Sequence, residues 1–557
     1  MKSHSILFAV SVFSVSFFTT TTYATSLSNS HIPAVVRTFA DMGVTQNDRS
    51  LSVTIALQLN NEAQLDQLLK DQYTVGSGNF HKFLTPAEFR DRFAPTAAQV
   101  AKVLKFLRQN NVQVTSVNST RYFIQATGSV SALSAAFKTE IHDYTDRFGA
   151  SYFAPATEPQ FPADLTIRAV HGLHNVTKFH PNFVKNTLAT PTGGYSAADL
   201  RSLYQVPNTV DGTGQTMGLF ELDGYNQSDV SAYLTKNKLP NILLQNILID
   251  GSDGSAGEGV DEVNLDIELM AAFAPKAKIL VYEAPNSLQG VLDLYTKIAT
   301  DNLATEISSS WGAPEKSNDA SFLQSEGTAF KQMAAQGQSI YAASGDSGAD
   351  GDGSTLSVQD PASQPYVVGV GGTKLNSQGS AYQSESSWNE MTGIDPNDQK
   401  GAGGGGISAV WPITSWQTPV LQKGSQSSTT MRNVPDVSLD GDPVTGYAIY
   451  SQGSWQQFGG TSCAAPLWAA YTALVNQQRV ANGLSVLGFP NPALYKLAEN
   501  AETYAADFHD IADGSTNTFY TAGVGYDDST GLGTMVGQNL FNDLTAASLD
   551  ASLSELR

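Results

Sequence analysis

At 557 residues the chain exceeds what one hydrophobic core organises, and two folded units are expected. Only 15% of residues are charged and 48 are glycine, a balance suited to a loop-rich extracellular protein. The net charge of -21 is unevenly spread, since residues 1–180 hold 15 Lys and Arg against 12 Asp and Glu while the remainder hold 16 against 40; this argues against nucleic acid as a partner and fits work in acid, where such a surface loses charge.

Lys2, the apolar run Ile6–Phe18 and then Thr22-Tyr-Ala24 have the form of a secretory signal with small residues at its cleavage point. That run is too short and serine-interrupted to span a bilayer, and no later segment reads as transmembrane, so export to the extracellular space or periplasm is expected, with no membrane attachment. Cys463 is the single cysteine, which rules out an intrachain disulfide. Leu51–Leu59 alternates as a strand, Glu62–Asp71 carries leucines at helical spacing, and Pro86–Asn110 supplies one or two helices. Val112–Val117 and Arg121–Ala126 read as strands, Ser131–Phe137 as a helix, and Glu140–Phe153 as a hairpin turning at Arg147-Phe-Gly149. The order β-α-α-β-β-α-β predicts a small α+β unit of split βαβ, ferredoxin-like type.

A Pro- and Gly-bearing linker, 176–195, follows. Beyond it, short apolar strands at Gln215–Leu222, Lys276–Tyr282, Glu306–Ser310, Gln338–Ala343 and Tyr366–Val370 alternate with helical stretches around 226–236, 260–273, 288–299 and 321–335. This predicts an α/β domain, a mostly parallel sheet with flanking helices, whose functional groups lie at strand C-terminal ends.

Phe458-Gly-Gly-Thr-Ser-Cys-Ala-Ala-Pro466 is a small-residue turn that holds Ser462 ahead of an apolar run of helical period. Free N–H groups and the helix dipole there favour the negative charge of acyl transfer, which makes Ser462 the candidate nucleophile. The wording Gly-Thr-Ser-x-Ala-x-Pro resembles that of subtilisin-like proteases. Its base is not the usual upstream histidine: of 8 histidines only His509 lies beyond residue 180, downstream of the serine, which leaves a carboxylate. Glu262 and Asp266 lie four apart in Glu262-Val-Asn-Leu-Asp-Ile-Glu268, neighbours on one helix face, where like charges raise at least one pKa. Taken alone, such a pair also suits a solvated helix face. Asp346, in Ser344-Gly-Asp-Ser-Gly348, reads alone as a glycine turn.

Together with His81-Lys-Phe-Leu-Thr-Pro-Ala-Glu-Phe89 and Phe93-Ala-Pro95, these motifs resemble the sedolisin, or serine-carboxyl peptidase, family and its activation domain. The resemblance implies a subtilisin-like catalytic fold and a division into signal 1–24, prodomain 25–175, processing linker 176–195 and catalytic domain 196–557. It implies Glu262 as base, Asp266 as its orienting partner, and Asp346 as a protonated acid donating to the oxyanion. Glu221 and Trp311 would extend the hydrogen-bond chain behind Glu262. It also implies protein and peptide substrates, a monomer inhibited by its own prodomain, and one structural Ca2+ on Asp510, Ile511, Gly523, Gly525 and Asp527, a set of hard oxygen ligands. In one departure, Gln359 stands where many relatives carry an acid two residues before the proline matching Pro361, which weakens the expectation of basic side chains near the scissile bond. A tripeptidyl aminopeptidase of the same family and a catalytically silent binding protein remain as alternatives.

Overall fold

The computed structural model describes residues 30–186, 193–351, 355–391 and 400–550; the signal-like segment 1–24 and linker residues 187–192 lie outside them. In the N-terminal unit, capping boxes at Thr85 and Thr96 start the helices Pro86–Phe93 and Ala97–Gln109. Four antiparallel strands make its main sheet in the order Gln113–Val117, Phe123–Ser129, Ser50–Leu57, Ile167–His171, the arrangement expected of a ferredoxin-like unit. The expected hairpin forms as Ile141–Thr145 and Ser151–Pro155, but it joins Ala40–Val44 in a separate sheet. The main sheet's last strand, Ile167–His171, was not anticipated, because five residues with a register shift at Ala56/Leu57 opposite them carry too little period.

This sheet is covered on both faces. Leu51, Val53 and Ile55 turn toward Val103, Leu107, Leu133 and Phe137 of the unit's own helices, whereas Ala56, Phe123 and Ala169 join the core of the C-terminal domain. The His81–Phe89 motif works at this seam. Leu84 N and Gln72 Nε2 donate to Ala335 O at 2.9 and 3.0 Å, and Tyr73 Oη adds a donor to Ala334 O at 2.7 Å, so the N-terminal unit bonds the last carbonyls of the Ala320–Ala335 helix. Lys331 meets the charge of Asp66 there at 2.7 Å, and His174 Nε2 lies 3.1 Å from Asp319 Oδ2.

In the C-terminal domain the strand order is Leu243–Leu248, Lys278–Glu283, Thr216–Glu221, Glu306–Ser309, Ser339–Ala343, Val368–Gln378, Ala381–Ser387, with Val437–Asp440 also pairing on Val368–Gln378. All these pairs are parallel except the last hairpin. The edge strand Leu243–Leu248 went unread because its leucines at 243 and 248 are exposed and break the buried pattern. Helices Val260–Phe273 and Thr461–Ala481 pack on one face of the sheet; Leu288–Asp301 and Ala320–Ala335 pack on the other, under the N-terminal unit. The chain lays strands first on one side of Thr216–Glu221 and then on the other, so the crevice of an open α/β sheet falls at its C-terminal end.

Candidate active site

Gly460, at φ 106° and ψ 160°, opens the Thr461–Ala481 helix in a conformation that favours glycine, and a Cβ there would come within 2.4 Å of Asn182 O and 2.5 Å of Asp346 Oδ2. Ser462 follows in the first turn. Pro466 has no N–H to give the Ser462 carbonyl four residues back, which instead lies 3.4 Å from the hydroxyl of Ser310. Ser462 Oγ donates to Glu262 Oε2 at 2.9 Å, and both side chains are fully buried.

Every residue of Val260–Phe273 is buried, so Glu262 and Asp266 belong to a dry interior and not to a solvated face. Ser310 Oγ donates to Asp266 Oδ1 at 2.8 Å, and Trp311 Nε1 to Glu221 Oε2 at 2.9 Å. Glu221 and Asp266 share a side-chain hydrogen bond, so Ser462, Glu262, Asp266 and Glu221 form a row with Ser310 and Trp311 beside it. Burial, reinforced by the charge of Asp266, holds the Glu262 and Glu221 carboxyls well above their ordinary range, and burial lifts Asp266 to about 7. Apart from the acids themselves, Glu221 Oε1, Glu262 Oε1 and Asp266 Oδ2 have no donor among the described residues, a lack that three mutually repelling acids resolve by keeping protons. One ionised carboxylate in such a row can accept the serine proton.

Asp346 stands across the serine, its carboxyl pushed up to about 7 by burial. Thr461 N and Oγ1 each donate to Oδ1 at 2.9 Å, leaving Oδ2 buried and without a partner. The glycine run 403–406 packs behind this turn, Gly404 N donating to Gly345 O at 2.7 Å.

An extended stretch of the linker occupies the cleft. His180–Pro181 pairs antiparallel with Trp311 and Gly312, and Val184–Lys185 pairs antiparallel with Phe458 and Gly459. Between them Asn182 N donates to Ser462 Oγ at 3.0 Å and lies 3.2 Å from Ser310 O, while Ser462 N donates to Asn182 O at 2.8 Å.

The loop around 510–533 offers a second site. Gly525 N donates to Asp510 Oδ2 at 3.0 Å and Gly523 N to Asp527 Oδ2 at 2.9 Å. Burial raises both carboxyls, Asp527 to about 7, and no Lys or Arg charge offsets this among the described residues. No three His, Cys, Asp or Glu cluster for a metal among the described residues, so a cation here would take peptide oxygens as well. Two acids without a cation, in a glycine loop rich in carbonyls, fit a hard ion such as Ca2+.

Comparison with known proteins agrees with this geometry. Residues 37–176 match the pro-kumamolisin activation domain, and residues 254–496 match the subtilase family. Over 511 residues the chain is 34% identical to sedolisin of Pseudomonas sp. (strain 101), an alignment covering 87% of this chain and 85% of that one. The chain belongs to the sedolisin family. It is also 31% identical over 542 residues to kumamolisin of Bacillus sp. (strain MN-32), with coverage of 92% and 94%. The solved structure of Pseudomonas sedolisin, a serine-carboxyl proteinase complexed with two molecules of pseudo-iodotyrostatin, matches at TM-score 0.57 and 31% identity over 62% of this chain and 97% of that one. This sedolisin-family protein is a serine-carboxyl peptidase made as a proenzyme.

The structure brings Ser462, Glu262, Asp266, Asp346, Glu221 and Trp311 into one site, and sets Asp510 and Asp527 each against a backbone N–H of the same glycine-rich loop. Sequence reasoning missed Ser310, although three serines closing a buried strand are a visible signal, and Thr461, which orients Asp346. It also missed Asn182, whose contacts are largely backbone and leave no mark in composition.

Proposed function

We propose that this sedolisin-family enzyme is a secreted endopeptidase that works in acid and releases itself from its prodomain. Ser462 attacks the peptide carbonyl, and Glu262 takes the serine proton and returns it to the leaving amine. Asp266 orients Glu262, with Glu221 and Trp311 behind it. The Ser462 N–H and protonated Asp346 receive the oxyanion. One observation carries the reading: an extended chain crosses the cleft with its carbonyl on the Ser462 N–H, and it continues in both directions. Upstream of Asn182 it runs through Pro181 and His180 to Phe179 and Lys178, past the third residue, where a tripeptidyl aminopeptidase needs a wall facing a free N-terminus. Acid operation follows from Asp346, which is a donor only below about pH 7.

Asp510 and Asp527, with carbonyls of Ile511, Gly523 and Gly525, would hold one Ca2+, which when bound ties the loop to itself and stabilises the native chain. The deciding experiment uses peptides with acetylated N-termini. Internal cleavage by the acid-matured enzyme is the expected result, whereas release of tripeptides from free N-termini alone would overturn the endopeptidase reading.

A further inference from the structure

The linker seated over Ser462 has a definite register. The carbonyl that receives the Ser462 N–H belongs to Asn182, and Asp346 Oδ2 sits on the same side, both within reach of a Cβ placed on Gly460. The amide of the same residue touches Ser462 Oγ, so the serine oxygen lies against Asn182 and not its neighbours. Strand pairing on either side, with Trp311 and Gly312 before Asn182 and with Phe458 and Gly459 after it, fixes the chain direction and forbids a slip of one residue without flipping every side chain.

We propose that Asn182–Phe183 is the bond the enzyme cuts first in its own chain, and that its cleft takes a neutral polar residue before the scissile bond, an aromatic after it, and a basic residue two positions further on. The proposal rests on the function given above and adds the register and the side chains that read it. In the cut, Ser462 Oγ bonds to the Asn182 carbonyl carbon while its proton passes to Glu262. The bond from that carbon to Phe183 N then breaks, and Glu262 gives the proton to the new amine. Water, deprotonated by Glu262, next displaces the Asn182 ester, and Ser462 Oγ recovers its proton.

The side-chain contacts divide in the same register. Asn182 Nδ2 donates to Ser310 O at 3.1 Å, and the neighbouring wall is Gln359, whose Oε1 is buried without a partner. The contacts found for the Asn182 side chain among the described residues are thus to a carbonyl and an amide, which suit a neutral polar group. Phe183 lies edge-on to the buried ring of Phe458, with ring centroids 5.4 Å apart at an interplanar angle of 66°. Lys185 Nζ reaches Asp261 Oδ2 at 2.5 Å and sits over the same Phe458 ring at 5.3 Å. Asp261 is buried and held by Ser451 Oγ at 2.6 Å and Gln452 Nε2 at 3.0 Å, a preformed carboxylate at the mouth of the cleft. Such a fixed charge selects a cation without needing to reorganise.

Two measurements test this. Purified precursor is shifted to acid at several dilutions, and the first new N-terminus is read by sequencing and intact mass. Phe183, appearing at a rate independent of concentration, is expected; a first cut elsewhere, with Asn182–Phe183 intact, overturns the proposal. Mature enzyme is then given a peptide spanning residues 177–186 and versions with Lys185→Glu or Phe183→Gly. Cleavage at Asn–Phe is expected, with kcat/KM for the Lys185→Glu peptide lower by about tenfold or more, a discrimination that Asp261→Asn in the enzyme removes. Equal rates for the Lys and Glu peptides overturn the specificity. Casein digestion separates the two levels: an enzyme that digests casein but spares Asn–Phe refutes this register alone, and one that digests neither refutes the peptidase reading beneath it.

Discussion

Asp346 gives the most discriminating perturbation. Its Oδ1 is fixed as an acceptor, because Thr461 N at 2.9 Å can only donate to it, which leaves Oδ2 as the atom facing the substrate carbonyl. Asp346→Ala therefore deletes one of two oxyanion donors, and loss of one such donor costs about 10²–10³ in kcat, or about 2.7–4 kcal/mol. Asp346→Asn keeps an acceptor toward Thr461 and puts an amide N–H₂ where the acid proton stood, so most of the rate should return. The pH dependence separates the two forms. With its pKa raised to about 7, wild-type Asp346 is a donor below that pH and ceases to be one as pH rises through it, whereas the Asn side chain donates at any pH. Steady-state kinetics on an acetylated peptide across the acid and neutral range should show a steep alkaline fall for the wild type and a shallower one for Asp346→Asn, the remaining fall reflecting Asp266, which is also lifted to about 7. Near-normal kcat in Asp346→Ala, or identical alkaline limbs in the wild type and Asp346→Asn, would refute the oxyanion role.

Stability should peak in acid. Burial raises Glu306 from 4.5 to about 7, so its stabilising share is whole below the ordinary carboxylate pKa and is lost as pH rises through about 7, up to about 3 kcal/mol. Glu306→Gln should therefore raise Tm near neutrality relative to wild type and change it little in acid; calorimetry across that range checks this. Chelation should lower the Tm of mature enzyme, and Asp527→Asn should remove the sensitivity, whereas an unchanged Tm counts against a bound Ca2+. Prodomain docking should weaken in acid through His171, which lies 2.9 Å from Ser325 Oγ with Asp319, His174 and His31 around it. Burial lowers its pKa from 6.5 to about 4, so undocked His171 binds the proton more readily and docking is lost as pH falls through that window, by up to about 3 kcal/mol. His171→Gln should move the pH midpoint of precursor maturation downward, and an unmoved midpoint speaks against the histidine.

Ser462 was legible because a glycine-rich turn before an apolar helix has few other uses, and the base was legible by elimination of histidine. The direction in which the acidic helix faces was not. The Glu262 and Asp266 pair also suited a solvated helix face, yet both are buried, as are Asp261 and Glu268 of the same helix. Glu268 accepts Tyr450 N at 2.9 Å, Asp261 meets Lys185, and the remaining two carry raised pKa values, so burial is met by hydrogen bonds and protons that the sequence does not display. The ferredoxin-like unit was read from its helices and central strands, where period is strong; Ile167–His171 and Leu243–Leu248 were missed because pairing partners, not local pattern, make them strands. The position of the linker is of the same kind, since most of its bonds in the cleft are main-chain bonds that other residues could supply.

The central claim is that Ser462 and Glu262 act as one proton-transferring unit, 2.9 Å apart in a site without histidine. The direct measurement is kcat on one acetylated peptide in acid for Ser462→Ala, Glu262→Ala and the double variant, each matured by a trace of wild-type enzyme that is then inhibited, and each checked for native Tm. Each single change should lower kcat by roughly 10⁴–10⁶ and the double should lose little more. A Glu262→Ala enzyme with near wild-type turnover, or losses that multiply in the double variant, would contradict it.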